Sequence, residues 1–99
     1  MTGGIPDDKW RGIIGIIKKH SNITSVILYG SRAKGNFQNG SDIDLAVKGN
    51  GISSEQLTQI GLDYEDLYLP WKLSVTVYDN ISNADPIDHI NRVGIDILR

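Results

Sequence analysis

The chain has 99 residues, of which 39% are apolar and 22% charged, so it suits one small domain spanning residues 1–99 and leaves no room for a second core. It has no cysteine, which excludes disulfide scaffolds, thiolate zinc sites and cysteine nucleophiles and agrees with a reducing cytoplasm, the expected location. A net charge of −2 argues against a protein that grips nucleic acid through many phosphates, and no stretch reaches the roughly 20 apolar residues that span a bilayer.

Met1 to Asp8 lacks the basic-then-apolar order of a signal peptide. From Pro6 to His20, Trp10, Ile13, Ile14 and Ile17 recur at helical spacing, with Asp7 and Asp8 at the end that favours negative charge and Lys18, Lys19 and His20 at the other. Pro6 suits the first turn, while Gly12 and Gly15 weaken the helix by up to about 1 kcal/mol each. The β-branched run Ser25–Tyr29 reads as a buried strand that stops at Gly30. Ser31 to Ser41 reads as a loop. Asp42 to Val47 reads as a second strand, ended by Gly49-Asn50-Gly51. Ser53 or Ser54 then caps a helix, with Gln56 in the capping-box position relative to Ser53. Leu57, Ile60, Tyr64 and Leu67 form its apolar face, and Pro70 closes it. Leu73 to Tyr78 alternates strictly and reads as a third strand. Asp85-Pro86 predicts a last helix with Asp85 as N-cap, whose stripe is Ile90, Val93 and Ile97. The order α-β-β-α-β-α predicts an α/β (α+β) fold, a small mixed sheet covered by helices.

Asp42 and Asp44 lie two apart on a predicted strand, so both carboxylates project from one face. Like charges side by side are costly unless a cation joins them, and a hard divalent ion such as Mg²⁺ suits one or two carboxylates plus phosphate oxygens. Taken alone, the pair also fits an exposed edge strand with both aspartates in water, a common arrangement. The preceding segment adds to it. Gly30 lets the backbone turn tightly at the end of an apolar strand, its amides can cradle phosphate oxygens, and Ser31, Arg32 and Lys34 add a hydroxyl and positive charge. By itself Gly-Ser-Arg also fits a plain polar loop.

The combination is more specific. Gly30-Ser31-Arg32-Ala33-Lys34-Gly35, followed six residues later by Ser41-Asp42-Ile43-Asp44-Leu45, resembles the signature of the DNA polymerase beta-like nucleotidyltransferase superfamily. Within it the chain is similar to the minimal nucleotidyltransferases, from about Asp8 onward. The tail Tyr78-Asp79-Asn80-Ile81-Ser82-Asn83, with Ile87-Asp88-His89-Ile90 and Val93-Gly94, carries the resemblance too. It implies that the Gly-Ser turn holds a nucleoside triphosphate such as ATP and that the two aspartates bind Mg²⁺. It also implies that a third carboxylate on the neighbouring strand completes the site. The implied reaction moves a nucleoside monophosphate onto an acceptor hydroxyl and releases pyrophosphate.

The family pattern resembles Lys-aliphatic-Asp-aliphatic in the third strand, and Lys72-Leu73-Ser74-Val75 stands there. Ser74 thus occupies the catalytic position of the third carboxylate, and Asp79 differs from it in strand parity. Three explanations compete: nucleotide and metal bind with slow or no transfer; a partner chain, Asp63, Glu65 or Asp66 supplies the charge; or the strand register differs. The resemblance also implies an antitoxin role beside an all-helical HEPN-type partner, with AMP attached to a partner tyrosine. One alternative is a protein that keeps the fold and acts by contact alone. Another is transfer to a small molecule, which in related enzymes goes with an additional helical domain. The sequence leaves homo- or hetero-oligomerisation open. His20 reads as a helix C-terminal cation, His89 as a solvent-facing helix residue, and Trp10 and Trp71 as packing residues. Phe37 reads as an anchor for its loop or a partner contact.

Overall fold

The computed structural model describes residues 1–98. Helix α1 (Asp7–Lys18) leads into strand β1 (Ile23–Tyr29), a short helix α2 (Gly30–Lys34) and strand β2 (Ile43–Gly49). Helix α3 (Ser54–Glu65), strand β3 (Leu73–Val77) with a 3₁₀ turn at Tyr78–Asn80, helix α4 (Ala84–Val93) and the two-residue strand β4 (Ile95–Asp96) follow. The strands form one mixed sheet in the order β3-β2-β1-β4, with β2 parallel to β3 and β1 antiparallel to both its neighbours. The expected mixed sheet packed with helices is the fold the chain adopts.

The core lies on one face of this sheet. Val26 and Leu28 of β1, Ile43, Leu45 and Val47 of β2 and Val77 of β3 meet Trp10, Ile13, Ile16 and Ile17 of α1 and Ile60 and Tyr64 of α3. Each fully buried Ile or Leu contributes about 1.5–3 kcal/mol, and the helical and strand periods of the sequence bring them to one layer. Side chains one residue out of phase point the other way. There Ile27, Ala46 and Thr76 face one another across three strands. Helix α4 covers part of this second face: Ile90 is buried, and a Cβ at Gly94 would run into the Ile27 side chain.

Local chemistry sets the helix ends. Asp7 and Asp8 occupy the first turn of α1, and Pro6 is its N-cap. The capping box of α3 is complete: the Gln56 amide donates to Ser53 Oγ at 3.2 Å, and the Ser53 amide donates to Gln56 Oε1 at 3.1 Å. The last helix differs from expectation. It starts at Ala84 with Asn83 as N-cap, so Asp85 and Pro86 lie inside the first turn. Proline costs nothing there because first-turn N–H groups have no intrahelical acceptor. Ile97 is not on the helix stripe either. Gly94 takes an extended conformation, the chain reverses, and Ile95 and Asp96 pair with Leu28 and Ile27 as a fourth strand. No helix among the described residues is long and apolar enough to cross a membrane.

Candidate functional site

The site begins where β1 ends. Gly30 has φ +75°, a conformation that L side chains rarely adopt. A Cβ at this position would also collide with a carboxylate oxygen of Asp44. Glycine is therefore required twice, by backbone angle and by the close approach of Asp44. The segment after it is not an unbroken loop. Residues 30–34 form one helical turn that ends at Gly35, in the left-handed region with φ 94°. Ser31 is half-buried in this turn, and Lys34 is exposed at its end.

Asp42 stands just before β2 and is exposed, whereas Asp44 is half-buried within the strand. Ile43 and Leu45 point into the core, so strand alternation sends Asp44 to the opposite face. Burial, and then the neighbouring Asp42 carboxylate, push the Asp44 pKa above the ordinary aspartate value, with His89 pulling it partly back. The folded state thus holds the Asp44 proton more tightly than the unfolded chain does. In metal-free protein, any stability tied to protonated Asp44 is present below the unfolded pKa and is lost as pH rises through the folded one. A divalent cation removes this penalty only where Asp44 is ionised. Any rise in melting temperature on adding Mg²⁺ should therefore be largest near neutral pH and fade as pH falls through the Asp44 titration. An increment that is flat from pH 4 to pH 7 would mean that Asp44 does not meet the cation.

Strand pairing places the third position. Asp44 lies opposite Tyr29 on β1 and opposite Ser74 on β3, giving the row Tyr29–Asp44–Ser74 across the sheet. The register is thus the expected one, and serine occupies the place beside Asp44. Among the described residues, no group of three or more His, Cys, Asp or Glu could hold a metal ion. Asp63, Glu65 and Asp66 do not complete such a set, and Asp63 instead accepts a hydrogen bond from Gln59 at 2.9 Å. The donor set fits one Mg²⁺, which commonly takes one or two carboxylates and fills its other positions with phosphate oxygens and water.

Arg32 is placed differently from the expected phosphate contact. It is 2% exposed. Its Nε donates to the Ser41 carbonyl at 2.9 Å, and its two terminal nitrogens donate to the carbonyls of Gly3 (2.8 Å) and Asn39 (3.1 Å). Its guanidinium carbon lies 5.0 Å from the Phe37 ring centre and 5.5 Å from that of Trp71. The guanidinium therefore holds the N-terminal turn and the 36–41 loop together, and Lys34 is left as the exposed cation of the segment. Phe37 packs on Gly4, where a Cβ would strike its ring, so it anchors the loop. Trp71 donates to the Asn39 carbonyl at 3.1 Å, and Trp10 is in the core.

His89 does not simply face solvent. Its Nε2 accepts the Gly30 N–H at 3.0 Å, and its ring meets Tyr29 edge-on with centroids 6.3 Å apart. Nothing in the local pattern around Ile87-Asp88-His89-Ile90 marks this, since the contact joins residues 59 apart in the chain. His20 lies just past α1, with Nδ1 3.0 Å from Gln56 Nε2.

Comparison with known proteins bears on the family and the fold. The polymerase beta nucleotidyltransferase family profile matches residues 11–99. Among solved structures, a toxin–antitoxin complex with AMP-PNP superposes with a TM-score of 0.73 at 14% identity, covering 89% of this chain and 71% of that one. A tri-AMPylated Shewanella oneidensis HEPN toxin in complex with MNT antitoxin gives a TM-score of 0.69 at 12% identity, covering 92% and 70%. At these identities the likeness concerns the fold. No curated protein matches the chain by sequence.

Proposed function

Because the chain belongs to the polymerase beta nucleotidyltransferase family, we propose that it binds ATP with Mg²⁺ beside Gly30, Ser31, Asp42 and Asp44 and transfers AMP to an acceptor hydroxyl. The acceptor in this reading is a tyrosine of an all-helical HEPN-type toxin, for which the chain is the cytoplasmic antitoxin. The observation that supports the reading is the packing of the Gly30 backbone against the Asp44 carboxylate. One structural neighbour is a toxin–antitoxin complex with AMP-PNP, and another contains an AMPylated HEPN toxin bound to an MNT antitoxin.

In this reading the Ser31 hydroxyl and nearby amides orient the triphosphate, and the exposed Lys34 adds positive charge beside it. Asp42 and Asp44 would hold Mg²⁺, which when bound stabilises charge on the transferring phosphoryl group and the departing pyrophosphate. Ser74 supplies no carboxylate to help take the acceptor proton. That residue favours a second reading, an antitoxin that neutralises its partner by contact and transfers AMP slowly or not at all.

Labelled ATP, Mg²⁺ and the product of the adjacent gene test both. Label on the partner, lost when Asp42 and Asp44 are replaced by Asn, is the expected result. Partner binding without label at any divalent metal leaves the contact-only reading, and absence of both sinks the antitoxin assignment.

A further inference from the structure

The turn that begins at Gly30 needs something to hold it. Glycine visits many backbone conformations, and fixing one of them costs more entropy than for any other residue. Asp44 crowds one side of Gly30, but crowding alone does not orient an amide. The group that orients it comes from the far end of the chain. His89 Nε2 lies 3.0 Å from the Gly30 nitrogen and accepts its N–H. An imidazole nitrogen accepts only while it carries no proton, so the contact to Gly30 is made by an unprotonated Nε2. The ring is set by its edge contact with Tyr29, at 75° between planes. Tyr29 is in turn the cross-strand partner of Asp44.

The helix that carries His89 is itself anchored. Ile90 is 2% exposed, and the Tyr78 hydroxyl donates to Asn91 Oδ1 at 3.1 Å. The imidazole is therefore held from both ends, by its helix and by its ring neighbour.

We propose that His89 is a positioning residue of the nucleotide site, holding the Gly30 amide through Nε2 and so fixing the turn against Asp44. This rests on the reading of that site as one for a nucleoside triphosphate. His89 acts on the ligand through the backbone. Removing the acceptor frees Gly30 to leave its φ of +75° and lets the Ser31 hydroxyl drift from its place.

Two measurements test the proposal on the intact chain. The first needs no nucleotide. In ¹⁵N-labelled protein, a through-hydrogen-bond coupling between the Gly30 nitrogen and His89 Nε2 is expected, and the Gly30 amide should exchange faster with solvent in His89→Ala. The second is AMP-PNP binding with Mg²⁺. His89→Ala should weaken it by on the order of fivefold to tenfold, the scale of one lost hydrogen bond. His89→Gln, whose Oε1 can reach the same amide, should recover most of the loss. Absence of the coupling overturns the proposal, as does an Ala variant that binds like wild type or a Gln variant no better than Ala. If wild type binds no AMP-PNP, the nucleotide reading fails, while the coupling and the Gly30 exchange rate still decide whether His89 holds the turn.

Discussion

Under the proposed function, Ser74→Asp should raise AMP transfer to the partner by on the order of a hundredfold or more, the range spanned by one positioned carboxylate in proton transfer and metal binding. The argument is geometric. Ser74 is the direct parallel-strand neighbour of Asp44, and side chains at paired positions leave the sheet on the same face. An aspartate there joins Asp42 and Asp44 without any change of backbone. The same substitution should have a second signature without nucleotide. Burial and the Asp42 charge already push the Asp44 pKa up, so a third carboxylate beside it adds repulsion. Metal-free Ser74→Asp protein should melt below wild type at neutral pH and show a larger rise with Mg²⁺. A variant with this stronger Mg²⁺ response and no gain in transfer would place the limitation elsewhere, in the acceptor or its presentation. A variant with neither would mean that Ser74 does not face the site.

The parts of this site that were legible in the sequence are those fixed by short-range geometry. Two aspartates two residues apart at the start of β2 lie close enough for the Asp42 charge to act on Asp44, and Gly30 directly after an apolar strand marks a turn whatever the rest of the chain does. Ser74 was placed by the resemblance, through the run Lys72-Leu73-Ser74-Val75, and the structure adds that parallel pairing with β2 puts it beside Asp44. The capping box of α3 was legible because it spans only Ser53 to Gln56.

What stayed hidden depends on contacts far apart in sequence or on competition between local signals. The one-turn helix α2 is too short to show a hydrophobic period, and only Gly35, in the left-handed region, hints at its end. Strand β4 exists because Gly94 breaks α4 and lets Ile95 and Asp96 reach β1. Locally, Ile97 looks like the next position of the helix stripe. The N-terminal limit of α4 shifted because proline is accepted throughout a first turn and so does not single out one start. His89 meets Gly30 from 59 residues away, a distance at which spacing carries no information.

A cation beside a phosphate-type turn invites a phosphate, whereas Arg32 is buried and donates to three carbonyls, and this placement yields the other large prediction. Arg32→Met, which keeps much of the side-chain volume and removes every donor, should destabilise the protein by about 3 kcal/mol. Three carbonyls, those of Gly3, Asn39 and Ser41, lose their side-chain donor at once, and hydrogen bonds from a charged donor are each worth about 1.5–3 kcal/mol. Relief of the cost of burying a charge returns part of that sum, which is why the expectation is below the total. Loss of the stack against Phe37 and Trp71 adds roughly 0.5–2 kcal/mol in the same direction. Against the 5–15 kcal/mol of a typical domain this is a large fraction, and it should appear as a lower urea midpoint. Arg32→Lys should fare little better, because an ammonium on a flexible stem cannot serve three carbonyls in the plane of a fork. The measurement also separates the two roles. A phosphate contact predicts weaker nucleotide binding with an unchanged urea midpoint, whereas a loop clamp predicts a lower midpoint even with no nucleotide present. The clamp further predicts altered Trp71 fluorescence, since the indole lies against the guanidinium and donates to the same Asn39 carbonyl.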